Sequence, residues 1–194
     1  MFLDDQKLKI IRMSLVNPDY PDSDSLIVKN MFVPFDVLED SARVWIYQAT
    51  RKFTKAEKHT ISETLSAFTQ GWVAHGNPLK TSFKIFYDQF IILAADENFN
   101  EASGCSIDGS VRVIKQIDQQ YQLNLFDRTK VAFKKGSVEV INLKDLSKTL
   151  GQGLWQHNTL TFNNVVTVKG ELETTWILPA NQTWLKRYLT KITV

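Results

Sequence analysis

Apolar positions recur along this chain with two different periods, and the switches between them mark out its elements. Arg43-Val44-Trp45-Ile46-Tyr47-Gln48 is dense in β-branched and aromatic residues and predicts a strand. Its period of two sets Arg43, Trp45 and Tyr47 on one face and Val44 and Ile46 on the other. Thr54-Lys55-Ala56-Glu57 has the form of a capping box, and Ile61, Leu65, Phe68 and Trp72 follow at helical spacing. That pattern predicts a helix over residues 55–73, ended by His75-Gly76-Asn77-Pro78. Two strands, 82–87 and 90–96, meet at Asp88-Gln89 in a tight hairpin. A second helix over 106–122 turns Ile107, Val111, Ile114 and Ile117 inward. A strand at 129–134 is turned by Gly136 towards another at 138–141.

Strand, helix, strand, strand, helix, strand is the order of the split β-α-β, so the pattern predicts an α+β fold with a ferredoxin-like core (βαββαβ). The core spans 31–142. Residues 143–194 form an α-rich extension packed on it, with a short helix at 143–150, a Gly151-Gln152-Gly153 break and a last helix capped by Asn181. Residues 1–30 read as a loosely attached arm: charges interrupt the apolar positions before Asn17, and Asn17–Ser25 holds two prolines among polar turn formers.

Composition narrows the classes. The chain has 194 residues, 43% of them hydrophobic, enough for a sizeable core. With 23 Lys+Arg against 21 Asp+Glu, no basic footprint points to nucleic acid, which is an unexpected partner here. The longest apolar run, Phe90–Ala95, is far short of the roughly 20 residues of a membrane helix. A single cysteine excludes an internal disulfide and cysteine-based metal clusters. With no export signal legible, these features predict a cytoplasmic protein with neither a metal nor another cofactor and no membrane partner.

The topology gathers chemistry at one end of the sheet. The loop after the first helix carries Trp72 and His75, and the loop before the second carries Asp96, Glu97, Ser103, Gly104, Cys105, Ser106 and Asp108. Arg43, Lys134 and Lys135 are expected at the same end. Cys105 lies at the start of a helix, where free N–H groups and the helix dipole favour a thiolate or an anion. One reading is therefore a thiol enzyme with Cys105 as nucleophile, His75 as base and Asp96 orienting it. The other is a site for a small anion or a protein partner built from Arg43, Trp72, Ser103, Gly104, Ser106 and Asp108. A plainer account makes Cys105 a buried apolar residue, Ser106 and Asp108 ordinary caps and His75 a helix terminator.

Two strings invite comparison with nucleotide-binding motifs. Phe90-Ile91-Ile92-Leu93-Ala94-Ala95-Asp96-Glu97 has the outline of a Walker B strand, and Gly104 and Gly109 have the spacing of a phosphate loop. Ser110 stands where the essential lysine belongs and Val111 where the metal-binding hydroxyl belongs, so ATP hydrolysis is not expected. The aromatic face of the first strand is either open, where it could stack bases, or covered, by the tail with Trp155, Trp176 and Trp184 or by a second copy. The covered arrangement is the expected one.

Met31-Phe32-Val33-Pro34-Phe35, Arg43–Gln48, Trp72-Val73-Ala74-His75-Gly76, Ala102–Asp108, Phe126-Asp127-Arg128 and Trp184-Leu185 together resemble a family of small cytoplasmic proteins from Bacteroidetes. Its members are often labelled "ABC transporter ATPase", although this chain lacks a complete Walker A motif. The resemblance runs from about residue 31 to the C-terminus and implies no activity.

Overall fold

Strand β5, Phe90–Ala95, lies at the centre of the computed structural model, which describes residues 32–190. All six of its residues are buried. Phe90, Ile92 and Ala94 point into one core and Ile91 and Leu93 into another, so both faces of the strand are covered. This explains the uninterrupted apolar run: a strand dry on both sides has no reason to alternate. The adjacent acids that suggested a Walker B strand are simply the loop that follows it.

Three antiparallel sheets and five α-helices make up the described residues. In the first sheet β5 lies between β1 (Arg43–Gln48) and β4 (Thr81–Phe86). Helices α1 (Lys55–Gln70) and α2 (Gly104–Tyr121) pack on one face of it, sharing a core that includes Tyr47, Ile61, Leu65, Ile91, Leu93, Ile114 and Ile117. The capping box forms as the sequence predicts: Glu57 N donates to Thr54 Oγ1, and Thr54 N donates to the Glu57 carboxylate. Helix α1 stops at Gln70 rather than 73, with Gly71 as its C-cap. The residues beyond it form a small hairpin, β2 (Val73–Ala74) with β3 (Asn77–Pro78), turned by His75 and Gly76, both at positive φ.

The second large sheet has four strands in the order β7-β6-β8-β9, from β6 (Lys130–Lys135), β7 (Ser137–Asn142), β8 (Leu160–Phe162) and β9 (Ile177–Pro179). β6 therefore pairs with β7 and β8, not with β1. The extension after residue 142 is correspondingly not only helical. It supplies two strands besides α3 (Leu146–Gly151), α4 (Glu171–Thr174) and α5 (Lys186–Leu189). Its strands escape a periodicity reading because each is three residues long.

Side-chain parity along β6 fixes the layering. Ala132 joins Val44, Phe90, Ile92, Phe162 and Trp176 between the two sheets. Val131 and Phe133 face the opposite way, into a core with Leu146, Trp155, Leu185 and Leu189. The order is helices, sheet, sheet, short helices. The tail, with Trp176 at the centre, thus covers the Val44 and Ile46 face of the first sheet, not the Trp45 and Tyr47 face on which the sequence placed it. Tyr47 is buried beneath α1 and α2, and Trp45 lies against Trp72 with ring centroids 5.6 Å apart. Of that face, Tyr47 is buried, and Trp45 and Arg43 are partly exposed. No helix among the described residues is long and apolar enough to cross a membrane. The 1–30 arm lies outside the described residues.

Candidate functional site

At the sheet end singled out by the sequence, several residues form a linked stack. Arg43 donates to Glu97 at 3.1 Å, and its guanidinium lies 4.9 Å from the Trp45 ring centroid. Trp45 touches Trp72, whose indole Nε1 donates to the Ser106 carbonyl at 2.9 Å. Ser103 caps α2 by accepting from Ser106 N at 3.2 Å, and the Ser106 hydroxyl donates back to the Ser103 carbonyl. Arg43, Trp72, Ser103 and Ser106 are therefore linked, and every polar contact among them is internal. Gly104 and Asp108 are exposed on the first turns of α2.

Cys105 is exposed, so it is not the buried apolar residue of the plain account. Asp96 is buried and spoken for: Lys80 Nζ donates to it at 2.9 Å, and Asn98 N donates to its other oxygen. It is thereby held away from any task of orienting an imidazole. His75 is exposed at the tip of the β2–β3 hairpin, a turn residue rather than a helix terminator. Lys134 sits at the opposite end of the first sheet from Arg43, with Nζ 5.2 Å from the ring of Tyr87 in the β4–β5 turn. Among the described residues no three His, Cys, Asp or Glu side chains come together as a metal site.

A sizeable cavity lies elsewhere. A cleft of about 850 Å³ opens where β1 and β6 part company, between the first sheet's edge, the Phe126–Arg128 turn, the Asn163–Thr167 loop and the Trp184–Arg187 segment. Its floor is polar and tied. Gln48 Nε2 donates to the Lys130 carbonyl at 3.5 Å, Asn164 Nδ2 donates to Gln48 Oε1 at 2.8 Å, and Trp176 Nε1 donates to Asn164 Oδ1 at 2.9 Å. Its walls include apolar side chains that the fold leaves exposed: Phe126 at 40%, Trp184 at 44% and Val165 at 76%.

Charge in the cleft is unbalanced. Asp127 accepts from Thr129 and pairs with Lys130 at 3.5 Å; the Thr129 bonds, followed by the lysine, hold its carboxyl below the usual carboxylate range. Lys130 also donates to Asn142. Arg128 and Arg187 form no ion pair among the described residues, and Arg187 lies 4.8 Å over the Trp184 ring. Tyr47 lines the inner wall; burial pushes its phenol up and the Ser110 hydroxyl acts in the opposite sense, so it stays a neutral hydroxyl at neutral pH.

In the sequence Phe126-Asp127-Arg128 stands out only as a point of family resemblance, and Trp184 as that and as part of the tail expected over the aromatic face. The signal that was available is exposed aromatic residues next to arginines in two turns, Phe126 with Arg128 and Trp184 with Arg187. That these turns meet follows from the departure of β6 from the first sheet, which no local pattern encodes. Comparison of the chain with protein-family models, with curated proteins and with solved structures yields no match.

Proposed function

We propose that this is a binding protein whose ligand or partner occupies the cleft between β1 and β6. One observation carries the reading: three exposed apolar side chains and two arginines with no carboxylate partner among the described residues line the same concavity. Large exposed apolar groups cost solvation free energy, and a concave apolar surface with a few convergent polar groups is the usual form of a binding site. The expected occupant is anionic and partly apolar. The finer fold belongs to this proposal too. The β-α-β-β-α order with β5 between β1 and β4 supports a ferredoxin-like description of residues 43–121, in which the position beside β1 goes to the cleft instead of a fourth strand. Kinship with the Bacteroidetes family and a cytoplasmic setting are further parts of the proposal, resting on the motifs quoted above and on the single thiol.

Titration with anilinonaphthalene sulfonate, an amphiphilic anion, tests the cleft. The native protein binds it at one saturable site, and Arg128→Glu with Arg187→Glu weakens that binding at least about tenfold, the loss expected for charge-assisted contacts. Equal binding by the double variant, or none by the native protein, overturns the reading.

Thiol chemistry at Cys105 is the second reading, and the exposure of that side chain favours it. Its proposed base, His75, would act without Asp96, which Lys80 occupies. The α2 N-terminus, with Ser103, Gly104, Ser106 and Asp108, would then be where a small anionic substrate is held.

A further inference from the structure

We propose that the cleft takes an extended acidic peptide from a partner protein, added as a strand to the outer edge of β1, an inference that rests on the cleft being the binding site. The outer edge of β1 is used over only part of its length. Val44 N donates to the Thr167 carbonyl at 2.8 Å, and Lys169 N donates to the Ala42 carbonyl at 2.8 Å, flanking an antiparallel bridge between Arg43 and Val168. The segment then turns away, with Val166 N donating to the Asn163 carbonyl. In an antiparallel ladder residues of one parity turn both backbone groups to the same side. Ile46 shares the parity of Val44, so its N–H and C=O face outward into the cleft, and no strand of the described residues pairs with that edge.

Edge strands are ordinarily blunted by proline, lysine or a bulge, and none of these occurs between Val44 and Gln48. Strand addition is the recognition mode such an edge supports: main-chain bonds bind, and alternate side chains read the flanking surfaces. Those surfaces specify the peptide. Phe126, Val165 and Trp184 accept apolar side chains, while Arg128 and Arg187 call for carboxylates. The open stretch of β1 runs from Trp45 to Gln48, room for about four residues at roughly 3.3 Å each.

The probe is an acetylated, amidated heptapeptide of alternating valine and glutamate, followed by amide chemical shifts of the full chain. It is compared with its valine–lysine counterpart and with two N-methylated forms, one methylated on every valine and one on every glutamate. The acidic peptide is expected to bind saturably and move the Ile46 amide. The lysine peptide is expected to bind at least about tenfold more weakly, and Arg128→Glu with Arg187→Glu to reverse the order. One N-methylated form loses binding while the other keeps it, because only one parity faces β1. Ile46→Pro removes the outward N–H without touching the ladder to β5 and is expected to abolish binding; should it fail to fold, the arginine pair and the methylated peptides still decide. Equal binding of both methylated forms overturns strand addition, and equal binding of the lysine peptide overturns the acidic occupant. If no peptide shifts the cleft resonances while the naphthalene sulfonate does, the peptide is wrong and the cleft stands. If neither does, both proposals fall.

Discussion

Glu57 concentrates several roles in one side chain. It closes the capping box of α1 and takes a two-pronged pair from Arg51, with both N–O distances at 2.8 Å. The Arg51 hydrogen bonds, with help from Thr54 N, pull its pKa from 4.5 to about 2. A carboxylate that titrates lower when folded stabilises the fold most fully above its unfolded value. That contribution fades as pH falls from about 4.5 towards 2. Arg51→Ala should return the Glu57 titration, followed by carboxyl carbon shifts, towards the ordinary range and shrink the acid-side loss of stability. Thr54→Ala should cost about 1 kcal/mol in denaturant titrations, the usual worth of an N-cap hydroxyl. A change below a few tenths would mean that the cap is already replaced by water. Cys105 provides the contrasting case. Being exposed, it should react with iodoacetamide in the native protein, and Cys105→Ser should move stability by no more than about 0.5 kcal/mol. Labelling that requires denaturant would contradict the exposed placement and remove the thiol reading with it.

At the scale of elements, hairpin geometry sets what substitution does. Gly136 joins β6 to β7 at φ +75°, and an added Cβ would meet nothing within 4 Å. Any penalty of Gly136→Ala is therefore backbone strain alone, about 1 kcal/mol by urea denaturation. Cleft binding should be unchanged, since the turn does not line it. The same scale shows what the sequence could and could not convey. Both long helices, the β4–β5 and β6–β7 hairpins and the Thr54 cap are local patterns, and they form within a few residues of where periodicity places them. Periodicity also separates Trp45 and Tyr47 from Val44 and Ile46, but it carries no sign. Which face meets the helices depends on Trp72 and on the second sheet, both remote in sequence. The site divides along the same line. Arg43, Trp72, Ser103 and Ser106 converge because short loops at one sheet end must. The cleft is assembled from residues 44–48, 125–132, 163–167 and 184–187, and its existence depends on one long-range choice, the pairing of β6 with β8.

That choice has a consequence for the molecule as a whole, because it makes the C-terminal third part of the core. β6 would be paired on one side only without β8, and Val44, Phe90, Ile92 and Ala94 would lose the cover of Phe162, Val166 and Trp176. Trp176 is the centre of this contact, with its ring 5.2 Å from Phe86, 5.3 Å from Phe90 and 5.2 Å from Phe162. Its Nε1 also donates to Asn164, which holds Gln48 and the cleft floor. Trp176→Ala should therefore cost about 3–5 kcal/mol, the range for removing a buried aromatic. Against a total stability of about 5–15 kcal/mol, that leaves little margin. Trp184→Ala, removing a ring that is 44% exposed, should change stability far less and act on cleft binding instead. Trp184→Ala thus reads the site with the scaffold left in place, whereas Trp176→Ala loosens both, through the core and through Asn164. Helical circular dichroism is dominated by α1 and α2 on the outer side of the first sheet, and the fluorescence of Trp155, Trp176 and Trp184, isolated by Trp45→Phe with Trp72→Phe, reports the layers beyond it. If the sheets share one core, both signals pass through a single coincident urea transition, and Trp176→Ala shifts them together. A fluorescence transition that precedes loss of helix would mean that the extension melts alone. The cleft would then lie at the seam between two separable units.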